Sequence, residues 1–431
     1  MRRANRTISA RLVGLGLVTA LLLAAMPGVA VAKPHDGKPH SKPGLTPIVL
    51  FPAYHFTRLR VSVHHQKADP NCPFNGSFED WYPNAQPSQT ISQVCQDEML
   101  TLRYSAKPHK PMRLRFRNQH GVKVSIIDYG KTSSSPFYEP MYAALATAGY
   151  TRDKDIRVAG YDARLTPDMG HFLKRTKTLI ERTYRENGNR PVHLVGHSNG
   201  PIYAEYLLTH TSRAWKHKYI HGFTPIAGNF PGQGGIWFLL FTGLNVADFT
   251  LPTTTENARS SALMYLSAPS TYLSAADPAI FEDQETVLAD ASADRAYTPQ
   301  DYASLLADAG QAWAIPIARR YVGFLHMSKP SSYPGVDVYA EKGSGIETLV
   351  GIGLPDLTIG QTLGDDASFF TRDGDVNQED ITIDAVGAWS AMPCFHFSLT
   401  DNPGVDHFSL PGDGSVLARL IANANAPRSH C

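Results

Sequence analysis

Residues 191–208 read PVHLVGHSNGPIYAEYLL, and the pattern of apolar residues changes in the middle of this stretch. The apolar run at 192–195 is typical of a buried strand, whereas the apolar residues after Gly200 recur at the spacing of a helix. Ser198 lies where the strand gives way to the helix, between Gly196 and Gly200. Two small residues permit the sharp turn that raises a serine oxygen above the edge of a sheet. The stretch therefore predicts a strand, a tight turn that carries a nucleophilic Ser198, and a helix.

The position of Ser198 at the start of a helix also favours catalysis. Unpaired N–H groups and the positive end of the helix dipole stabilise an oxyanion at that place. A serine hydroxyl is a poor nucleophile alone, so it requires a general base and a carboxylate that orients the base. On folds with this turn, the three residues follow one another along the chain as serine, acid and histidine. The acid and the base are therefore expected after Ser198.

The candidates for the base are histidines near the C-terminus. The chain has 17 histidines, so residue type alone identifies none of them. Order along the chain and local context leave His396 and His407. His396 lies in CFHFSL, whose alternation is typical of a strand and favours a structural role. His407 lies in a polar loop before the last amphipathic helix, and we predict that it is the base because such a loop can reach across to Ser198.

The candidate acids, Asp373 and Asp375, lie in the segment FFTRDGDVN. Gly374 between them permits a sharp turn that presents a carboxylate from the end of a strand. A solvated turn residue is the ordinary interpretation of an isolated Asp-Gly pair. The residues alone therefore leave both aspartates open.

Strand-like and helix-like segments alternate from residue 46 onward. Strands are predicted at 48–51, 122–127, 156–159, 192–195 and 219–226, and helices at 137–148 and from Asp168 to Glu186. This alternation predicts an α/β fold with a mostly parallel sheet covered on both faces. Residues 230–330 depart from the alternation and are interpreted as an inserted cap or lid. Their segment IWFLLFTGL fits a buried helix and fits a mobile or lipid-facing surface equally well.

The first 32 residues have the pattern of a secretory signal peptide. Four arginines precede an apolar run from Leu12 to Ala25, and residues 30–32 offer small side chains for cleavage. The alternative, a membrane anchor, needs a longer apolar run. Residues 33–45 have no apolar face and predict a disordered leader, which leaves 46–431 as the catalytic domain. A secreted, periplasmic or lysosome-like location is expected.

The charge balance and the cysteines narrow the class of protein further. Without the signal peptide the chain has 36 basic and 39 acidic residues, which indicates no affinity for nucleic acid. Four cysteines in an exported chain favour disulfides. Three pairings are possible, and proximity in the sequence favours Cys72 with Cys95 and Cys394 with Cys431; free buried thiols are the alternative. No residues have the spacing of metal ligands, so neither a metal nor another cofactor is expected.

Several separated segments resemble the lecithin:cholesterol acyltransferase family, and more closely its lysosomal phospholipase and transacylase branch. In chain order they are PIVLFPAYHFTRLRV, CPFNGSFEDWYPNAQPSQTISQVCQDEMLTLRY, VAGYDARLTP, YTPQDYASLLAD, PGVDVYAEKGSGIET, RDGDVN and DHFSL. Together they extend over nearly the whole mature chain. The resemblance implies an α/β-hydrolase fold with a lid-type insertion and a small membrane-contact loop closed by a disulfide between Cys72 and Cys95.

The resemblance also implies roles for individual residues. It puts Ser198 on the nucleophile, Asp373 on the acid and His407 on the base. It puts the two oxyanion donors on the backbone N–H groups of Tyr54 and Asn199. Within the disulfide loop, it implies that Trp81 touches a membrane or the substrate.

The chain departs from the family pattern at three places. Ala53 stands where relatives have the glycine of a Pro-Gly pair, which changes the shape expected of the oxyanion loop. Asn199 stands where relatives have an apolar residue. Ala163 replaces the tryptophan of a Tyr-Asp-Trp-Arg segment, which favours a different acyl pocket or acceptor.

The motifs and the resemblance together predict an exported serine phospholipase and acyltransferase. It would cleave an acyl ester of glycerophospholipids through an acyl-enzyme and pass the acyl group to water or to a lipid alcohol. A phospholipid membrane or a lipid-particle surface is the expected partner. One alternative is a soluble esterase or triacylglycerol lipase, which has the same triad but does not need the aromatic disulfide loop. The other is a non-catalytic lipid-binding surface protein, against which an intact triad argues.

Overall fold

The computed structural model describes most of the chain from residue 44 onward. The described residues are 44–64, 72, 74–80, 91–106, 114–244, 251–281, 286–327, 329, 332–376, 385–391 and 394–429, together with the pair Thr7–Ile8. The rest of the predicted signal peptide, the leader up to residue 43, Trp81 and Cys431 lie outside this set.

The strands are β1 (Thr7–Ile8), β2 (Ile48–Phe51), β3 (Leu59–Val63), β4 (Gly76–Asp80), β5 (Arg103–Ala106), β6 (Leu114–Arg117), β7 (Val122–Ile126), β8 (Ile156–Val158), β9 (Val192–His197), β10 (Ile220–Ile226), β11 (Leu288–Asp290), β12 (Arg295–Tyr297), β13 (Val338–Ser344), β14 (Ile346–Leu354), β15 (Ser368–Gly374) and β16 (Phe397–Pro403). The α-helices are α1 (Gln93–Leu100), α2 (Glu139–Thr147), α3 (Phe172–Glu186), α4 (Gly200–Thr209), α5 (Arg213–Tyr219), α6 (Ile236–Thr242), α7 (Thr255–Ser267), α8 (Pro269–Leu273), α9 (Tyr302–Asp308), α10 (Ile315–Tyr321) and α11 (Gly414–Asn425).

A six-stranded sheet with the order β16-β13-β10-β9-β2-β8 forms the centre of the molecule. Each of its strands is parallel to its neighbours. The side chains of β2 alternate between two apolar clusters. Ile48 and Leu50 pack with α2 and α11 on one face, and Val49 and Phe51 pack with α3 and α4 on the other. Helices therefore cover both faces of the sheet, which confirms the predicted α/β-hydrolase fold.

The predicted elements agree with β2, β7, β8, β9, β10, α2 and α4 apart from small shifts of their ends, and one expectation is wrong. The strand predicted at 122–127 is β7, but it pairs antiparallel with β3 in a separate three-stranded sheet. Asp168, contrary to the prediction, does not cap α3. Its carboxylate instead accepts a hydrogen bond from Arg320 of α10 at 2.9 Å, which ties the segment before α3 to the insertion.

Residues 230–330 contribute α6 to α10 and the strands β11 and β12. These strands belong to a second, mixed sheet with the order β1-β15-β14-β11-β12. The apolar segment IWFLLFTGL forms α6, in which Trp237 and Phe241 are at most 1% exposed. For this segment the structure therefore supports the buried helix rather than a lipid-facing surface.

Disulfides fasten two peripheral parts of the chain. Cys72 and Cys95 are bonded with their Cα atoms 5.5 Å apart, as predicted. Cys394 is also disulfide-bonded, and its predicted partner Cys431 lies outside the described residues. In the described part of the chain, no helix combines the length and the apolar character needed to cross a bilayer.

The helix that carries Cys95, α1, is held on α7 by a buried carboxyl group. Asp97 accepts hydrogen bonds from the hydroxyls of Ser260 and Ser261, each at 2.7 Å. Burial raises the pKa of Asp97 to about 7, and the two serine hydrogen bonds lower it only in part. The contact between α1 and α7 therefore contains a carboxyl group that keeps its proton to a higher pH than an ordinary aspartate does.

Candidate active site

Ser198 occupies the turn between the end of β9 and the start of α4. Its φ is +59°, a left-handed conformation that non-glycine residues adopt rarely and mostly at functional turns. Two backbone hydrogen bonds hold the turn: the N–H of Ser198 donates to the carbonyl of Ile226 at 3.0 Å, and the N–H of Asn229 donates to the carbonyl of Ser198 at 2.9 Å. The predicted strand–turn–helix is therefore present and is fixed to the adjacent strand β10.

The two glycines around Ser198 are required by close approaches of the backbone. A Cβ atom on Gly200 would lie 2.0 Å from the carbonyl oxygen of Phe51, at the end of β2. A Cβ atom on Gly196 would lie 2.7 Å from the nitrogen of Pro201. Neither position accepts a side chain without displacing the backbone, which explains the Gly-x-Ser-x-Gly pattern.

His407 and Asp375 form a buried pair in the loops after β16 and β15. Nδ1 of His407 lies 3.0 Å from Oδ2 of Asp375, and the N–H of His407 donates to the carbonyl of Asp375 at 2.8 Å. The two side chains are 1% and 3% exposed. A carboxylate accepts only, so Nδ1 carries the proton and Nε2 carries the lone pair with which a base accepts a proton.

The structure does not bring Asp373 to His407, contrary to the expectation from the family pattern. Asp373 lies within β15, opposite Glu347 of β14, and its side chain is exposed. Its carboxylate accepts a hydrogen bond from the N–H of Gly345 at 3.3 Å. The strand ends at Gly374, so the chain turns inward only at the following residue, Asp375, which the sequence had left open as the alternative.

A glycine in the neighbouring strand makes room for Asp375. A Cβ atom on Gly343 of β13 would lie 2.8 Å from the Cβ atom of Asp375. Strand β15 can therefore pack closely enough against β13 for the carboxylate of Asp375 to reach the loop of His407. Gly343 was a possible sequence signal for this contact, but its role depends on a packing that the sequence alone does not reveal.

His396 lies away from Ser198, as its alternating context indicated. It precedes β16, and its N–H donates to Oδ1 of Asp337 at 2.9 Å. Because the central strands are parallel, the start of β16 is at the edge of the sheet opposite to Ser198. His396 therefore belongs to the structural framework.

The predicted oxyanion donors lie in the loop after β2 and at the start of α4. Among the hydrogen bonds of the described residues, the backbone N–H groups of Tyr54 and Asn199 have no acceptor. His55, which follows Tyr54, has a φ of +60°. Ala53, which stands where relatives have glycine, is fixed by its N–H, which donates to the hydroxyl of Tyr138 at 2.8 Å. The loop is thus ordered by a tyrosine rather than by a glycine.

The side chain of Asn199 is fixed by polar residues that sequence reasoning missed. Its Nδ2 donates to Oγ of Ser274 at 2.6 Å, and its Oδ1 accepts from Nδ2 of Asn229 at 2.8 Å. All three residues are at most 3% exposed. An apolar residue at position 199 could not make these bonds, so the unusual Asn199 was itself the available signal.

A second buried polar pair lies behind the loop of Tyr54. Nδ1 of His55 is 3.7 Å from Oδ2 of Asp80, too far for a hydrogen bond. Burial lowers the pKa of His55 and raises the pKa of Asp80, so both groups tend toward their neutral forms. Asp80 is the last residue of β4, directly before the segment that contains Trp81.

Comparison with known proteins gives consistent matches. Residues 94–276 match the family model described as lecithin:cholesterol acyltransferase. The chain is 27% identical to the lysosomal phospholipase A and acyltransferase of Mus musculus over 70% of this chain and 72% of that protein. It is 24% identical to lecithin-cholesterol acyltransferase-like 1 of Oryza sativa subsp. japonica over 88% of this chain and 86% of that protein. The crystal structure of the Tle4-Tli4 complex is similar in fold alone, with a TM-score of 0.54 and 12% identity over 88% of this chain and 98% of that chain.

Proposed function

We propose that this chain, which is similar to proteins of the lecithin:cholesterol acyltransferase family, is a serine phospholipase and acyltransferase. The proposed substrate is an acyl ester of a glycerophospholipid. The acyl group passes through an acyl-enzyme to water or to a lipid alcohol. Similarity to a lysosomal phospholipase A and acyltransferase supports this reaction class.

Three side chains have distinct roles in the proposed reaction. Oγ of Ser198 attacks the ester carbonyl while Nε2 of His407 takes the serine proton. The C–O bond of the ester then breaks, and His407 returns the proton to the departing alcohol. Water or a lipid alcohol attacks the acyl-enzyme by the same steps, with His407 again as the base and Ser198 as the leaving group.

Asp375 and two backbone groups complete the proposed machinery. Asp375, in place of Asp373, orients His407 and stabilises the imidazolium that forms. The N–H groups of Tyr54 and Asn199 stabilise the oxyanion of each tetrahedral intermediate.

The observation that carries the proposal is the buried hydrogen bond between His407 and Asp375, in a fold where Ser198 occupies a strained turn at the same edge of the sheet. Parallel strands place the loops after β9 and β16 at one edge of the central sheet. The hydrogen bond to His407 brings Asp375, which follows β15 of the second sheet, to that same edge. A histidine with only a structural role would not need a buried carboxylate partner that follows the serine and precedes the histidine in the chain. It would also not need a serine held at a φ of +59°.

Contact with a membrane is the part of the proposal that separates a phospholipase from a soluble esterase. The disulfide between Cys72 and Cys95 closes a loop that contains Phe74 and Trp81, and aromatic side chains suit the interface of a bilayer. Phe78 of the same loop is buried in the core and does not take part in this contact. Export by a signal peptide at residues 1–32 agrees with a lysosomal or secreted location, which the name of the mouse lysosomal relative supports.

The proposal is tested first at the nucleophile. Ser198→Ala should reduce turnover by roughly a thousandfold or more, as the loss of a triad serine does, and should abolish labelling by a fluorophosphonate. Purified parent and variant are incubated with mixed-acyl phosphatidylcholine liposomes, with and without a lipid alcohol, and the products are identified by mass. Labelling that survives the substitution would exclude Ser198. Hydrolysis of short soluble esters without any action on liposomes would favour the soluble esterase.

A further inference from the structure

A continuous set of buried hydrogen bonds joins the oxyanion loop to the backbone of the base. The N–H of Ala53 lies 2.8 Å from Oη of Tyr138, and Oη of Tyr138 lies 3.0 Å from Nδ1 of His197. Nε2 of His197 lies 2.9 Å from the carbonyl oxygen of His407. We call Tyr138 and His197 the relay. Neither residue belongs to the proposed triad or to the oxyanion donors.

The direction of each hydrogen bond in the relay follows from its two ends. The carbonyl of His407 only accepts, so Nε2 of His197 must carry the hydrogen. Nδ1 of a neutral imidazole is then an acceptor, so the hydroxyl of Tyr138 donates to it. The oxygen of Tyr138 in turn accepts from the N–H of Ala53. One arrangement of hydrogens satisfies every group, and it requires a neutral His197.

The surroundings of His197 maintain that neutral state. Burial, followed by the neighbouring imidazole of His407, lowers the pKa of His197 well below its usual value. Phe137 is stacked on the imidazole with ring centroids 6.3 Å apart, and Phe56 lies at 6.1 Å. His197 is 0% exposed and Tyr138 is 1% exposed. The relay is therefore enclosed and has a fixed tautomer.

The relay lies between the oxyanion loop, the nucleophile and the loop of the base. His197 is the last residue of β9 and directly precedes Ser198. Ala53 directly precedes Tyr54, a proposed oxyanion donor. The loop of His407 follows β16, which is three strands away from β9 in the sheet. At the usual spacing of strands, that separation is about 14 Å, so the backbone ladder does not position this loop against Ser198.

We propose that Tyr138 and His197 are positioning residues that set the distance between the oxyanion loop, the nucleophile and the base. This inference rests on the proposed function. The relay ties the carbonyl of His407 to the residue before Ser198, and it ties the amide before Tyr54 to the same imidazole. A displacement of about 1 Å between reacting groups can cost on the order of a hundredfold in rate. Loss of the relay should therefore affect chemistry more than binding.

His193 provides a matched control because it is another buried imidazole on the same strand, β9. It is 0% exposed, and its Nε2 hydrogen bonds to Thr224 at 2.8 Å, away from the loops of the site. We expect His197→Leu to lower kcat on a soluble p-nitrophenyl ester by about ten- to a hundredfold, with KM little changed. His193→Leu should lose a comparable amount of thermal stability and keep its kcat.

Two further variants keep the test decisive if His197→Leu fails to fold. His197→Gln retains an N–H at the place of Nε2 and should recover part of the kcat. Its rate should exceed that of His197→Leu. If His197→Leu is insoluble, the rate of His197→Gln should exceed that of Tyr138→Phe. Tyr138→Phe removes the hydroxyl between Ala53 and His197 and should lower kcat by about tenfold, again with little change in KM.

The possible results distinguish a failure of the relay proposal from a failure of the proposed function. A parent that is neither labelled by the fluorophosphonate nor active on esters would overturn the proposed function, and the relay with it. Two results would overturn the relay alone, provided that the parent is labelled and active. One is an unchanged kcat in Tyr138→Phe and His197→Gln. The other is a kcat that His193→Leu lowers as much as His197→Leu does. Loss of kcat confined to the relay variants, with partial recovery in His197→Gln, supports it.

Discussion

Replacing Asp375 with asparagine is the sharpest test of the proposed site. The change keeps the size of the side chain and leaves the backbone bond from the N–H of His407 to the carbonyl of residue 375 intact. The geometry of the two loops should therefore persist. What changes is the partner of Nδ1, because an amide can present an N–H where the carboxylate presents only an acceptor.

The expected magnitude follows from the tautomer of His407. An N–H directed at Nδ1 over the observed 3.0 Å moves the imidazole hydrogen to Nε2, where it blocks acceptance of the serine proton. The same substitution in a comparable triad lowers kcat about ten-thousandfold, which corresponds to roughly 5 kcal/mol of transition-state stabilisation. Asp373→Asn alters an exposed carboxylate whose described contact is the N–H of Gly345 at 3.3 Å. It should retain nearly the full rate.

Rates are measured as kcat/KM on a p-nitrophenyl ester, and the rate of fluorophosphonate labelling gives a second measure of the reactivity of Ser198. Thermal unfolding of both variants checks that the fold persists. A larger loss in Asp373→Asn than in Asp375→Asn would refute the geometric assignment and restore the family-based expectation. A rate of Asp375→Asn within about tenfold of the parent would refute the tautomer argument itself.

Two further predictions concern the periphery of the domain. Trp81→Ser should weaken liposome binding and phospholipid turnover but leave hydrolysis of a soluble ester nearly unchanged; equal loss on both substrates would mean that Trp81 supports the fold. Burial raises the pKa of Asp97 from 3.8 to about 7, so the folded state binds this proton more tightly than the unfolded state does. The stabilisation that the bound proton adds to the free energy of unfolding is therefore lost as the pH rises from about 4 to about 7. In urea titrations between these pH values, the parent should therefore lose stability relative to Asp97→Asn, and parallel pH profiles would contradict the prediction.

The elements nearest to Ser198 were predictable because their signals are local. An apolar run, two glycines and a helical spacing are contained within residues 191–208, and β9 and α4 follow from them. The choice of His407 as the proposed base rested on the same kind of local signal, since it lies in a polar loop before an amphipathic helix. Asp375 was not distinguishable from Asp373, because the choice depends on where β15 ends and on the space that Gly343 leaves beside it.

Contacts between distant segments could not be predicted from one sequence. Tyr138, Ser274 and Asn229 are ordinary polar residues in their own segments, and their hydrogen bonds to Ala53 and Asn199 exist only after the chain has folded. The apolar α6 was ambiguous for a related reason. A helix that is apolar all round is compatible with a buried position and with a lipid surface, and only its packing distinguishes them.

The hydrogen bond between Asn199 and Ser274 has a consequence for how the proposed substrate reaches Ser198. Ser274 follows α8, a helix that is buried throughout, and its hydroxyl holds the residue whose N–H is a proposed oxyanion donor. Withdrawing α8 to admit a lipid chain would break this hydrogen bond and leave the side chain of Asn199 held by Asn229 alone. If the proposed phospholipid substrate enters through the insertion, the hydrogen bond between Asn199 and Ser274 persists only when segments other than α8 move.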